Sequence, residues 1–273
     1  MVMELTGIFV PMITPFDAAG EVAYPALERL AEEVLAAGAT GLVALGTTGE
    51  PSALRPDEQQ GVLTTLSRLG APLISAISCP GADAVVSLVP PFVRPGPDGV
   101  VAHFTALAAA SDVPLVVYHV PARTGQALDA ATLRRLAAID GVIGIKYATG
   151  ALDADMISLL ADPPPGFAIL GGDDLYLSPL LALGAAGGIT ASAHVATDRF
   201  AALATAWRTG DVPAARALGH ALAPLSAALF AEPNPTVIKA VLHAQGRIPT
   251  PSVRLPLLPA APASLAAALR FAG

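Results

Sequence analysis

At 273 residues, with 53% hydrophobic and 14% charged side chains, the chain can bury a large core as one barrel-sized domain or as two smaller ones. A net charge of −7 with no Arg/Lys run or basic stripe excludes an electrostatic footprint for nucleic acid and favours small-molecule partners. Gly, Pro or a charge interrupts every apolar stretch before the roughly 20 residues a spanning helix needs, which argues against a membrane protein.

Eight short Val/Ile/Leu-rich runs predict strands near 7–13, 40–45, 72–78, 83–89, 113–118, 141–146, 166–171 and 186–190. Amphipathic stretches at 24–37, 56–69, 99–110, 129–138, 152–161, 174–183 and 196–208 predict helices after most of them. This alternation is that of an α/β (β/α)8 TIM barrel, assigned to 1–208. Three more helical patterns, near 211–230, 234–246 and 261–271, predict a C-terminal helical domain over 209–273. One unit is broken. Only CPGA separates the third and fourth runs, whereas a parallel crossover ordinarily takes a dozen or more residues. Three readings stand at this point: the barrel lacks that helix, the two runs pair unusually, or the chain omits a segment.

In such a barrel the working residues stand at the C-terminal ends of the strands. Four ends carry chemistry here: GTTGE (46–50), YHVPARTG (118–125), Lys146 and GGDD (171–174). A lysine walled by apolar residues is biased towards its free amine, which can attack a carbonyl carbon; snorkelling to the rim or pairing with a carboxylate is the competing reading. Tyr118 ends the neighbouring strand and can relay protons, or be an ordinary core tyrosine. Thr47 and Thr48, between glycines, form either a carboxylate-holding nest or a simple turn. Arg123 is a fork for a carboxylate or a solvated surface charge.

The remaining candidates do not assemble. The five histidines lie at no metal-ligand spacing, no phosphate-binding glycine pattern occurs, and Cys79 has no evident base partner, so no metal or cofactor is expected. A single cysteine also excludes an internal disulfide framework, and MVMELTGIFV has no leader pattern, so a cytoplasmic protein is expected. Asp173 and Asp174 are expected to cap the helix they open.

Taken together and in this order, GTTGE, YHVPARTG, GIKYATG, GGDD, GGITASAHVA and EPNP resemble the dihydrodipicolinate synthase and N-acetylneuraminate lyase family, from about Gly7 to Pro256. The resemblance implies a homo-oligomeric class I aldolase that binds pyruvate as an imine. It makes Lys146 the Schiff-base lysine, Tyr118 the relay phenol, Thr47 the relay hydroxyl and the Thr47–Thr48 backbone the pyruvate carboxylate site. It gives Arg123 the second substrate and places the Ile189 carbonyl at the site. GTTGE and the arginine of RTG favour the synthase branch, which condenses pyruvate with aspartate semialdehyde, over a 2-keto-3-deoxy acid aldolase or dehydratase, a lyase, or a binding homologue without catalysis.

Three departures from the family pattern stand out. PPFVRP (90–95) puts Phe92 or Val93 where the synthases supply a second tyrosine from a neighbouring subunit. Tyr147 replaces an acidic residue and should point away from the mouth. Pro56 and Gln59 replace histidines of lysine-inhibited members, so feedback inhibition by lysine is not expected.

Overall fold

The computed structural model describes residues 3–273. Eight parallel strands close into a barrel in sequence order: β1 (Gly7–Pro11), β2 (Gly41–Ala44), β3 (Leu73–Ser75), β4 (Ala84–Leu88), β5 (Leu115–His119), β6 (Val142–Tyr147), β7 (Ala168–Gly171) and β8 (Gly187–Ile189). All eight expected strands form, several of them shorter than their apolar runs. Closure is made where β1 meets β8 in the register Gly7↔Gly187, Ile8↔Gly188 and Phe9↔Ile189. A Cβ on Gly187 would collide with the backbone of Gly7, so glycine there permits the last seam.

Helices α1 (Tyr24–Ala36), α2 (Pro56–Ser67), α3 (Gly96–Ala109), α4 (Pro121–Thr124), α5 (Ala130–Ala137), α6 (Ala154–Ala161), α7 (Leu177–Ala182) and α8 (Thr197–Thr209) connect the strands or follow the last of them. Their ends follow local chemistry. Asp129 accepts a hydrogen bond from the Thr132 N–H at the start of α5, and Asp153 does the same for Met156 at α6. In α1 the buried positions Ala26, Leu27, Leu30, Ala31 and Val34 recur at helical spacing and make one inward stripe.

No helix lies between β3 and β4, which pair directly as Ile74↔Ala84 and Ser75↔Val85. The barrel therefore lacks a helix at this point, and the two runs pair in the ordinary parallel way. The physical reason is the length of β3: three residues rise about 10 Å, a distance that the eight-residue connection 76–83 can retrace without a helix. Asp83 anchors the return, its Oδ2 accepting from the Leu73 N–H at 2.8 Å and its own N–H donating to the Leu73 carbonyl at 2.8 Å.

After the barrel come α9 (Val212–Leu229), α10 (Thr236–Ala244) and α11 (Pro262–Leu269). Their apolar faces join the barrel's own core: Leu222, Leu225, Val237, Ile238 and Val241 pack in one cluster with Val10, Leu30, Leu63 and Phe200. Inside the barrel a smaller cluster of Phe9, Val43, Ile74, Val86, Val116, Leu170 and Ile189 fills the lumen below the mouth. Among the described residues no helix is long and apolar enough to cross a membrane.

Candidate active site

Strand periodicity determines which side chains reach the mouth. On β5, Leu115 and Val117 belong to the outer core cluster and Val116 and Tyr118 to the lumen. Tyr118 pairs in register with Lys146 on β6, so both project into the lumen at the same level. The Lys146 ammonium lies 4.4 Å from the centroid of the Tyr118 ring, within cation–π range. No salt bridge joins Lys146 to a carboxylate among the described residues, which removes the ion-pair reading of this lysine. Its neighbour Tyr147 points the other way, as expected, and its hydroxyl donates to Asp153 at 2.7 Å in the outer layer.

The wall beside Lys146 depends on a glycine. A Cβ at Gly172 would stand 2.9 Å from Lys146 Cγ and 3.0 Å from its Cε, so any side chain there would displace the lysine. The GGDD motif thus contributes first through its second glycine. Its two aspartates correct the expectation of helix capping, because neither side chain caps the short 3-10 turn Asp174–Tyr176 or α7. Asp173 instead accepts from the Gly150 N–H at 2.6 Å, and Asp174 from the Ser192 N–H. Burial raises both carboxyls, Asp174 to about 6, and the Asp174 Oδ1 has no hydrogen-bond partner. These side chains brace the loops after β6 and β8 around the mouth.

The segment after β2 forms a 3-10 turn, Thr47–Gly49, closed by Gly49 N–H to Gly46 O and Glu50 N–H to Thr47 O. Those bonds use the third and fourth amides and leave the N–H groups of Thr47 and Thr48, at the start of the turn, outside its own bonding. Glu50 then takes the left-handed conformation at φ 55°, which costs a non-glycine residue on the order of 1–2 kcal/mol. The turn is held from the C-terminal segment: Asn234 Nδ2 donates to Thr48 Oγ1 at 2.9 Å.

These groups line a cavity of 370 Å³ that contains Lys146, Tyr118, Thr47, Thr48, Arg123 and Ile189. All six residues singled out from the sequence therefore meet in one place. Arg123 sits exposed on α4 with no ion-pair partner among the described residues, free to meet an incoming anion. A second cavity of 670 Å³ adjoins the first and shares Thr47, Tyr118, Arg123 and Asn234 with it. Its other walls include Ile77, Val86, Leu88, Phe92 and Leu257, on the side where the β3–β4 helix is missing. Phe92 is 93% exposed at its rim with φ 69°, and Val93 is also exposed; neither carries a hydroxyl, so this segment supplies no phenol to the site.

Asn234, Lys239 and Glu50 were not singled out by sequence reasoning. EPNP carried the resemblance without a role for Asn234, whose partner lies 186 positions away. The usable signal for Lys239 was a lone cation inside the apolar run VIKAVL.

Comparison with known proteins shows the family of the chain. Residues 4–71 and 73–268 match the model of the dihydrodipicolinate synthetase family. The 4-hydroxy-tetrahydrodipicolinate synthase of Moorella thermoacetica is 36% identical over 99% of both chains. The chloride-inhibited dihydrodipicolinate synthase of Acinetobacter baumannii, solved with pyruvate, is 33% identical and superposes with a TM-score of 0.92, covering 98% of this chain and 99% of that one. A structure described as the first monomeric dihydrodipicolinate synthase variant also reaches 0.92, at 28% identity, covering 98% and 95%.

Proposed function

We propose, for a chain that belongs to the dihydrodipicolinate synthetase family, that it is a class I lyase condensing pyruvate with aspartate semialdehyde to 4-hydroxy-tetrahydrodipicolinate. The observation that carries this reading is the pairing of Lys146 with Tyr118 on adjacent strands, in a cavity that also holds the Thr47–Thr48 turn.

In this reading the free amine of Lys146 attacks C2 of pyruvate, and loss of water leaves an iminium. The amides of Thr47 and Thr48 hold the carboxylate, while Tyr118 and Thr47 carry protons to and from the carbinolamine oxygen. The iminium draws electrons from C3. Loss of a C3 proton gives an enamine, whose carbon attacks the aldehyde of the second substrate as Arg123 receives that substrate's carboxylate. Attack of the second substrate's own amine on C2 then closes the ring and returns Lys146 as the free amine. The Ile189 carbonyl is proposed to accept a hydrogen bond in the same cavity.

The test is borohydride reduction with pyruvate followed by peptide mass spectrometry, and then turnover of aspartate semialdehyde beside that of sugar acids. A reduced pyruvate adduct on Lys146, absent in Lys146→Ala, together with turnover of aspartate semialdehyde is the expected outcome. Preferential turnover of a sugar acid would shift the assignment to another reaction of the family, and an adduct without turnover of any aldehyde would leave only a binding homologue.

A further inference from the structure

The most deeply buried ion pair in the described residues lies outside the mouth. Lys239 on α10 is fully buried, and its Nζ donates to Glu50 Oε1 at 2.7 Å, with a Glu50 side chain only 2% exposed. The same Nζ donates to the Thr14 carbonyl at 2.8 Å and stands 4.0 Å from the centroid of the Phe16 ring. Burial lowers the lysine to about 8 against the opposing pull of Glu50. A buried charge pair is a poor stabiliser, because the desolvation of two ions commonly exceeds what their attraction returns, and an apolar pair of similar volume does as well or better. Stability alone therefore does not account for a lysine in the middle of VIKAVL.

Its connections lead to the Thr47–Gly49 turn from both sides. Glu50 is the residue that closes the turn in the left-handed conformation, and its second oxygen, Oε2, accepts from the Arg254 N–H at 2.9 Å, so both carboxylate oxygens are committed. Thr14, whose carbonyl Lys239 binds, donates its own hydroxyl to the Gly49 carbonyl at 2.8 Å. The residue after the turn and the last residue within it are thus both referred to one ammonium group. Lys239 itself does not line the cavity that holds Lys146.

We propose that Lys239, acting through Glu50 and Thr14, is a positioning residue that holds the Thr47 and Thr48 amides where the carboxylate of the 2-oxo acid substrate binds. The proposal rests on the reading of that turn as the carboxylate site. Through this pair the C-terminal helices take part in substrate recognition. An ammonium with fixed partners in three directions tolerates less displacement than apolar packing, and a shift of about 1 Å in a binding group is worth on the order of a hundredfold in rate.

Removing one partner alone would strand a charge in the core, so the pair is replaced together as Lys239→Met with Glu50→Gln, where the glutamine can still accept from the Arg254 N–H. Borohydride trapping on Lys146 is then compared for pyruvate and for pyruvamide, which offers the same ketone without the carboxylate. The double variant is expected to keep its melting midpoint while pyruvate trapping falls about tenfold or more and pyruvamide trapping is unchanged. An equal loss with both probes would reduce the pair to a structural role and overturn the proposal, as would an undiminished preference for pyruvate. Should the double variant not fold, Thr14→Val removes only the hydroxyl that holds Gly49 and is expected to lower the pyruvate preference in the same sense; an unchanged preference there overturns the proposal too. Loss of the preference in the unsubstituted protein would instead strike the carboxylate site itself, so the two failures are distinguishable.

Discussion

Tyr118 and Arg123 share the cavity with Lys146 but face different tasks, and single substitutions separate them. Tyr118→Phe keeps the ring under the ammonium and removes the hydroxyl, so kcat is expected to fall by roughly 10²–10³, as loss of a proton-transfer group does, with KM for pyruvate little changed. Arg123→Ala is expected to raise KM for aspartate semialdehyde about tenfold or more while leaving pyruvate trapping on Lys146 intact. Steady-state kinetics with each substrate varied in turn checks both, and a Tyr118→Phe enzyme of full kcat would remove Tyr118 from the relay. These two side chains were legible from the strand ends. Gly172 was not, because its task is to leave room for Lys146, and a sequence does not show which neighbour a missing Cβ would strike.

Among the elements, the start of α2 bears on regulation. Pro56 begins α2, and Gln59 is committed to its own loop, its Nε2 donating to the Pro51 carbonyl at 3.0 Å. Neither side chain offers the imidazoles that the resemblance places in lysine-inhibited relatives. Added L-lysine in the millimolar range is therefore expected to leave the condensation rate unchanged, and a saturable inhibition curve would refute this. The broken unit was visible as a gap too short for a helix, but CPGA alone left three readings open. Direct pairing of Ile74 with Ala84 shows that the strands join in parallel without that helix, because only the real length of β3 shows how far the chain must return.

For the molecule as a whole, long-range polar contacts tie the C-terminal segment to the barrel's mouth. Arg254 donates through both terminal nitrogens to Glu58 on α2, each at 2.6 Å, and these bonds hold the Glu58 carboxyl down at about 2, below its ordinary 4.5. A depressed carboxyl contributes stability that is full above about 4.5 and is lost as the pH falls towards about 2. The difference in melting midpoint between the unsubstituted protein and Glu58→Gln should accordingly be greatest above pH 4.5 and close in stronger acid; a difference independent of pH would contradict the assignment. Acid sensitivity begins earlier through His119 and His194, which burial lowers to about 4 from 6.5, since the unfolded chain takes up those protons first. Asp174, raised to about 6, opposes them in part. By itself the sequence determined the eight strands and nearly all the helices, and it singled out Lys146, Tyr118, Thr47, Thr48 and Arg123, because strand periodicity and strand-end motifs are local properties of the chain, while Ile189 came from the family resemblance alone. Only the tertiary structure decided how the barrel closes without a helix between β3 and β4, where Asp173 and Asp174 direct their carboxylates, and that Lys239 and Asn234 meet Glu50 and Thr48 nearly two hundred residues away, because those depend on partners that folding alone brings together.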